Sequence, residues 1–173
     1  MEYGLHPVRK SGSRTFNGIG PAYGEILTIT LKKNGVLDSI SNMVAYYLLD
    51  PVVPLGKSSY YGSTPWGIVT SSFPLPAMVT VGNTGDFYIL TYYHDLTMST
   101  VDAFETSTYS IAANNSTTLL FCLNSTISDV TAQGSLDGLA NGTESDCYTI
   151  DAAGTVELAS IAMTINGVRL NFN

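Results

Sequence analysis

The sequence predicts an all-β fold, an antiparallel β-sandwich or barrel of Greek-key or jelly-roll type with about 8 to 10 strands. Three observations carry this. The 173 residues include eleven Tyr and much Ser and Thr against only 12% charged residues, a usage that suits pleated strands better than helices. Short runs alternating apolar and polar residues recur along the chain, separated by Gly, Pro, Asn and Asp clusters. The last run is the most specific: Asn166-Gly167, the preferred two-residue hairpin turn, lies between two alternating segments. Pairing across it sets Ile165 opposite Val168, Met163 opposite Leu170 and Ile161 opposite Phe172. All six then share a face, so turn register and hydrophobic pattern agree.

Taken in order, residues 1–23 contain Gly, Ser and Pro without periodicity and are expected to form an extended basic arm on a single domain spanning 24–173. Glu25–Lys33 alternates and reads as the first strand, ended by the turn signal Asn34-Gly35. Val36 to Leu49 admits two readings. Helical spacing of Val36, Ile40, Met43, Val44 and Tyr47 competes with a strand, and a strand over 43–49 is favoured. Five of the seven prolines fall between Pro51 and Pro76, predicting a long structured loop with one short strand, Gly67–Ser72. Its aromatics Tyr60, Tyr61 and Trp66 are candidates for loop contacts or for plugging the end of a barrel.

Ala77–Tyr93 reads as a central hairpin turning at Gly82-Asn83-Thr84-Gly85. In its second arm Phe87, Ile89 and Thr91 alternate with Tyr88, Leu90 and Tyr92, so a strand covered on both faces is expected. A second hairpin joins Glu105–Ile111 to Thr117–Leu123. The polar, Gly-bearing stretch 124–146 reads as a loop, Cys147–Ile150 as a short strand and Asp151–Gly154 as a turn.

The formal net charge of −7 argues against nucleic-acid binding by the whole surface. The distribution is uneven. Arg9, Lys10, Arg14, Lys32 and Lys33 outweigh Glu2 and Glu25 in the first 33 residues, leaving about −10 on the rest. A basic arm on an acidic body suggests a partner for the arm, against the plain alternative of a solvated terminus. No run of eighteen apolar residues exists to make a membrane-spanning helix. The first residues lack the apolar core of a signal peptide, which leaves either no secretion by that route or a leader already removed. Cys122 and Cys147 sit in apparent strands, and both a disulfide and two buried thiols remain open.

The catalytic inventory is thin. No G-x-S-x-G elbow occurs, and neither cysteine carries a local nucleophile signature. His94-Asp95 resembles half a triad, but adjacent residues on an extended chain point apart. Zinc needs clustered Cys and His, which the sequence does not bring together. Asp137, Asn141, Glu144 and Asp146 share a Gly-rich stretch that could hold calcium, yet the run breaks the EF-hand pattern at Leu139 and Tyr148. No catalytic residues, resident metal or other cofactor are therefore expected. Asn114, Asn115, Asn124 and Asn141 satisfy the glycosylation pattern N-x-Ser/Thr, little above what the Ser and Thr content yields by chance.

In size and strand rhythm, from Glu25 to Asn173, the chain resembles the small single jelly-roll capsid proteins of tailless, membrane-containing icosahedral DNA viruses, such as those infecting thermophilic bacteria. The resemblance implies an eight-stranded barrel, dimerisation and tiling into a virion lattice, with no enzymatic activity. The assembly arm (Arg9, Lys10, Arg14) would then face a neighbouring copy, a second capsid protein or the inner membrane surface. No specific nucleic-acid binding is expected. Two other readings use the same strands: an extracellular surface-filament or adhesin subunit, and a carbohydrate-binding module with Tyr60, Tyr61 and Trp66 as a stacking platform.

Overall fold

The architecture is that of a computed structural model, which describes residues 10–17, 19–33, 36–49, 52–59, 66–76, 78–165 and 167–172. Within them run the strands β1 (Lys10–Phe16), β2 (Ile19–Lys33), β3 (Val36–Leu49), β4 (Val52–Ser59), β5 (Trp66–Ser72) and β6 (Thr84–Tyr93). They are followed by β7 (Val101–Ala113), β8 (Thr118–Ser128), the short helix α1 (Ala132–Leu136), β9 (Gly142–Asp151), β10 (Val156–Ile165) and β11 (Val168–Phe172). All eleven strands belong to one antiparallel sheet in which each hydrogen-bonds only to its neighbours in sequence. The all-β class is as expected. The connectivity is an up-and-down meander, with no Greek-key or jelly-roll crossover among the described strands, and the strand count exceeds the expected 8 to 10.

The sheet rolls up without closing. Met43 on β3 and Met163 and Ile165 on β10 line one cavity of about 310 Å³. Seven strand spacings separate β3 from β10, which in a flat sheet would put them ~33 Å apart. Only a rolled sheet brings them around one space. Register then assigns the two faces. The inner wall carries the row Glu25, Ala45, Lys57, Gly67, Tyr92, Ala103. Next to it lies the row Tyr88, Ser107, Ser125, Glu144, Met163, Leu170. The outer wall carries Ile26, Val44, Ser58 and Trp66 in register.

Two apolar clusters hold this arrangement. On the outer wall Phe16 stacks on Tyr46 with ring centroids 4.3 Å apart and on Trp66 at 4.9 Å. Ala22, Ile26 and Val44 complete the cluster. Gly56 makes room for it, since a Cβ there would lie 2.4 Å from the Phe16 ring and 2.2 Å from the Gly67 carbonyl oxygen. The second cluster packs Phe87, Tyr88, Leu90, Tyr92 and Ala103 with Leu123, Ile127 and Leu139. On β6 one face is buried through Tyr88, Leu90 and Tyr92, whereas on the other Phe87 and Thr91 are buried but Ile89 is 38% exposed, so the expected cover on both faces is only partial.

Several expectations require correction. The 1–23 arm is strand from Lys10 onward, because Phe16 anchors β1 in the outer cluster and β2 begins at Ile19. Val36–Leu49 is strand throughout, paired with β2 from Val36 to Tyr47 and with β4 from Met43 to Leu49. The 51–76 loop contains an additional strand, β4, whose Pro54 sits at a register shift opposite Tyr47, where a missing N–H is tolerated. The central hairpin does not form. Both edges of β6 are occupied by β5 and β7, so 78–83 finds no strand to pair with, and Met78 is 87% exposed. That segment instead turns at Asn83, whose Oδ1 accepts from Thr80 N and Oγ1, and it is tied to β7 through Gly82 N donating to Ile111 O at 2.9 Å. The 124–146 loop resolves into the end of β8, α1 and the start of β9.

Candidate functional site

Among the apolar side chains of the inner wall sits a charged cluster. Glu105 on β7 is 1% exposed and accepts three hydrogen bonds: from Lys57 Nζ at 2.7 Å, Tyr88 OH at 2.6 Å and Tyr92 OH at 2.6 Å. Alternation places all four groups on one face of β4, β6 and β7, and Gly67, in register between Lys57 and Tyr92, leaves room for the Leu90 and Tyr92 side chains, which a Cβ there would meet at 2.9 and 3.0 Å. Burial pushes the Glu105 carboxyl up, but Lys57 and the three donated hydrogen bonds outweigh it and hold it below the ordinary carboxylate value. Burial likewise disfavours the Lys57 ammonium, and the adjacent Glu105 carboxylate reverses this, raising Lys57 well above its usual value. Glu144 on β9 faces the same interior. Burial raises it, Glu105 adds in the same direction and Lys57 opposes.

One end of the cavity is covered by the segment after α1, Asp137 to Ala140. This segment is seated by Thr131, whose N donates to Asp102 O at 2.8 Å and whose Oγ1 caps the helix by accepting from Gly134 N at 3.0 Å. Gly134 packs so closely on the start of β7 that a Cβ would lie 2.6 Å from Asp102 O. The result is a polar cluster. His94 Nδ1 lies 2.6 Å from Asp137 Oδ2, and Gln133 Nε2 lies 3.3 Å from the same ring nitrogen while donating to Asp137 Oδ1 at 3.2 Å. The hydrogen bond to Asp137 raises His94 above the usual imidazole value. His94, Asp102 and Asp137 each offer a ligand atom within 4.8 Å of the others, a spacing that can hold a metal ion.

The sequence-level candidates fare unevenly. Cys122 and Cys147 form a disulfide across β8 and β9, where register sets them opposite one another. Trp66 is buried in the outer cluster, so it is no exposed stacking surface, and Tyr60 and Tyr61 lie outside the described residues. Arg9 also lies outside them, Lys10 opens β1, and Arg14 is exposed on β1 opposite Ala22. The calcium candidates are dispersed. Asp137 joins His94, Asn141 Oδ1 accepts from Val130 N, and Glu144 and Asp146 belong to β9. His94 does have a carboxylate partner, but it is Asp137 rather than the adjacent Asp95. Asp95 turns instead to Thr97, accepting from its N at 2.8 Å and its Oγ1 at 2.6 Å.

Together these features define the class: a rolled antiparallel β-meander with a charged interior and a histidine–carboxylate cluster at its covered end. No protein-family model matches the chain, and neither does any curated protein or solved structure.

Proposed function

We propose that this protein is a non-enzymatic structural subunit that associates with copies of itself, as a capsid subunit does in a virion shell. The observation that supports this is the unclosed sheet, which among the described residues leaves β1 and β11 each hydrogen-bonded on one side only. An edge strand presents unpaired N–H and C=O groups to any matching strand. With eleven strands in alternating directions, β1 and β11 run the same way. Head-to-tail stacking would therefore set them parallel, whereas two-fold pairing of like edges continues the antiparallel pattern and gives a closed dimer. Strand β11 suits this better than β1. It alternates Val168, Leu170 and Phe172 with Arg169 and Asn171, while β1 carries Lys10 and Arg14, the kind of charge that blunts an edge.

Light scattering across protein concentration, with negative-stain microscopy of the same sample, tests this. Dimers or lattice-like particles are expected. Val168→Lys, at a side chain 62% exposed, should return the protein to monomer with an unchanged far-ultraviolet spectrum. A strict monomer for the native chain at all concentrations refutes the reading.

The disulfide favours a second setting for the same assembly role, an extracellular or cell-surface filament or adhesin subunit, since such bonds persist in oxidising surroundings. The sequon residues Asn115 and Asn141 are exposed. Glycans at either position, found by mass spectrometry of protein from its native source, together with filaments by microscopy, would select that setting.

A further inference from the structure

Asp102 is placed as few carboxylates are. It is 0% exposed, and neither of its side-chain oxygens receives a hydrogen bond from any described residue. An acceptor held in that state is costly unless something positive completes it. The neighbour it faces is Asp137, a second carboxylate, and the third group within reach is the His94 ring. Two acceptors turned toward each other need a shared proton or a shared cation between them.

We propose that His94, Asp102 and Asp137 form a binding site for a first-row divalent transition-metal ion of the Zn²⁺ or Mn²⁺ type. One imidazole with two carboxylates suits such ions, whereas Ca²⁺ takes oxygen ligands almost exclusively. The ligand atoms, all within 4.8 Å of one another, are close enough to share one ion. Ligands about 2.1 Å from a tetrahedral ion stand about 3.4 Å apart, so His94 and Asp137 would part slightly from their 2.6 Å contact. Gln133, donating to Asp137 Oδ1, orients that carboxylate from behind, the role outer-shell donors play around metal ligands. Three protein ligands leave at least one position for water. Its accessible side is at His94, whose side chain is 41% exposed, while Asp102 forms the buried floor. The site belongs to the tertiary fold alone, because its ligands come from the β6–β7 connection, the start of β7 and the end of α1.

Isothermal titration of the full chain with ZnCl₂ tests this, with CaCl₂ as the contrast. One zinc site is expected, with calcium bound far more weakly, and both Asp102→Asn and His94→Ala should weaken zinc about tenfold or more. Circular dichroism establishes that each variant is folded. Should the buried Asp102→Asn fail to fold, His94→Ala at its half-exposed position still decides the matter. The proposal is overturned if zinc gives no saturable heat up to millimolar concentration, which would leave a shared proton between the aspartates. It is equally overturned if a folded variant keeps native affinity, or if calcium binds as tightly as zinc.

Discussion

Glu105 and Glu144 line the same interior yet have opposite signatures in pH. The Glu105 carboxyl is held below its ordinary value of 4.5, so its contribution to stability is present above that pH and lost as pH falls through the folded-state value. The Glu144 carboxyl is raised above 4.5, so its contribution is present below that value and lost as pH rises through the folded one. At neutral pH the first stabilises the fold and the second opposes it. Glu105→Gln should therefore cost about 3–5 kcal/mol at pH 7 by urea unfolding, because it leaves the Lys57 ammonium buried without its counter-charge. Glu144→Gln should raise the melting temperature at pH 8, and the gain should vanish near pH 4. A Glu144→Gln variant less stable than the native chain at pH 8 would show that Glu144 serves Lys57 rather than opposing the fold.

Among the elements, β8 and β9 are joined by covalent as well as hydrogen bonds. The Cys122–Cys147 disulfide closes a segment with a sequence separation of 25. Replacing both cysteines by Ser should cost about 2–4 kcal/mol by denaturant titration, through the freedom regained by the unfolded chain. Retained stability would mean that the strand ladder suffices alone. Other strands differ in how far the sequence revealed them. The β10–β11 hairpin was legible to the residue, with Ile165 opposite Val168 and Ile161 opposite Phe172, because a two-residue turn and an apolar alternation agree there. The first half of β9, Gly142–Asp146, reads as loop because its inward positions Glu144 and Asp146 are acidic, reversing the usual apolar-in pattern. Strand β4 was hidden by Pro54 and Gly56, each of which is accommodated by a tertiary feature, a register shift and the Phe16 ring. The histidine cluster left no local trace. His94, Asp102 and Asp137 are brought together by α1 docking on β7, and nothing in their sequence spacing announces it.

For the molecule as a whole, charge and edge act against each other. Each chain carries a formal −7, so copies repel at long range, while pairing at β11 acts only at contact. Raising salt shortens the range of that repulsion from about 30 Å at 0.01 M to about 8 Å at 0.15 M. The mass measured by light scattering at fixed protein concentration should accordingly grow with sodium chloride. A mass that falls with salt would mean that oppositely charged patches, such as the basic N-terminal segment against the acidic body, hold the copies together instead.

The meander also bears on how the chain reaches its shape. Every described strand finds its hydrogen-bonding partner in an adjacent stretch of sequence, so among the described residues no strand waits for a distant segment to pair with. Pairings of short separation close small loops, which are quick to form and cost little entropy. As the polypeptide leaves the ribosome, each new strand can be laid beside the one before it, and the growing edge moves steadily toward the C-terminus. The metal-type cluster and the disulfide come late in this order, since both require segments beyond residue 136. Until β11 is added, the advancing edge is the most adhesive part of the molecule, and crowding of unfinished chains is the hazard that such a growth pattern carries.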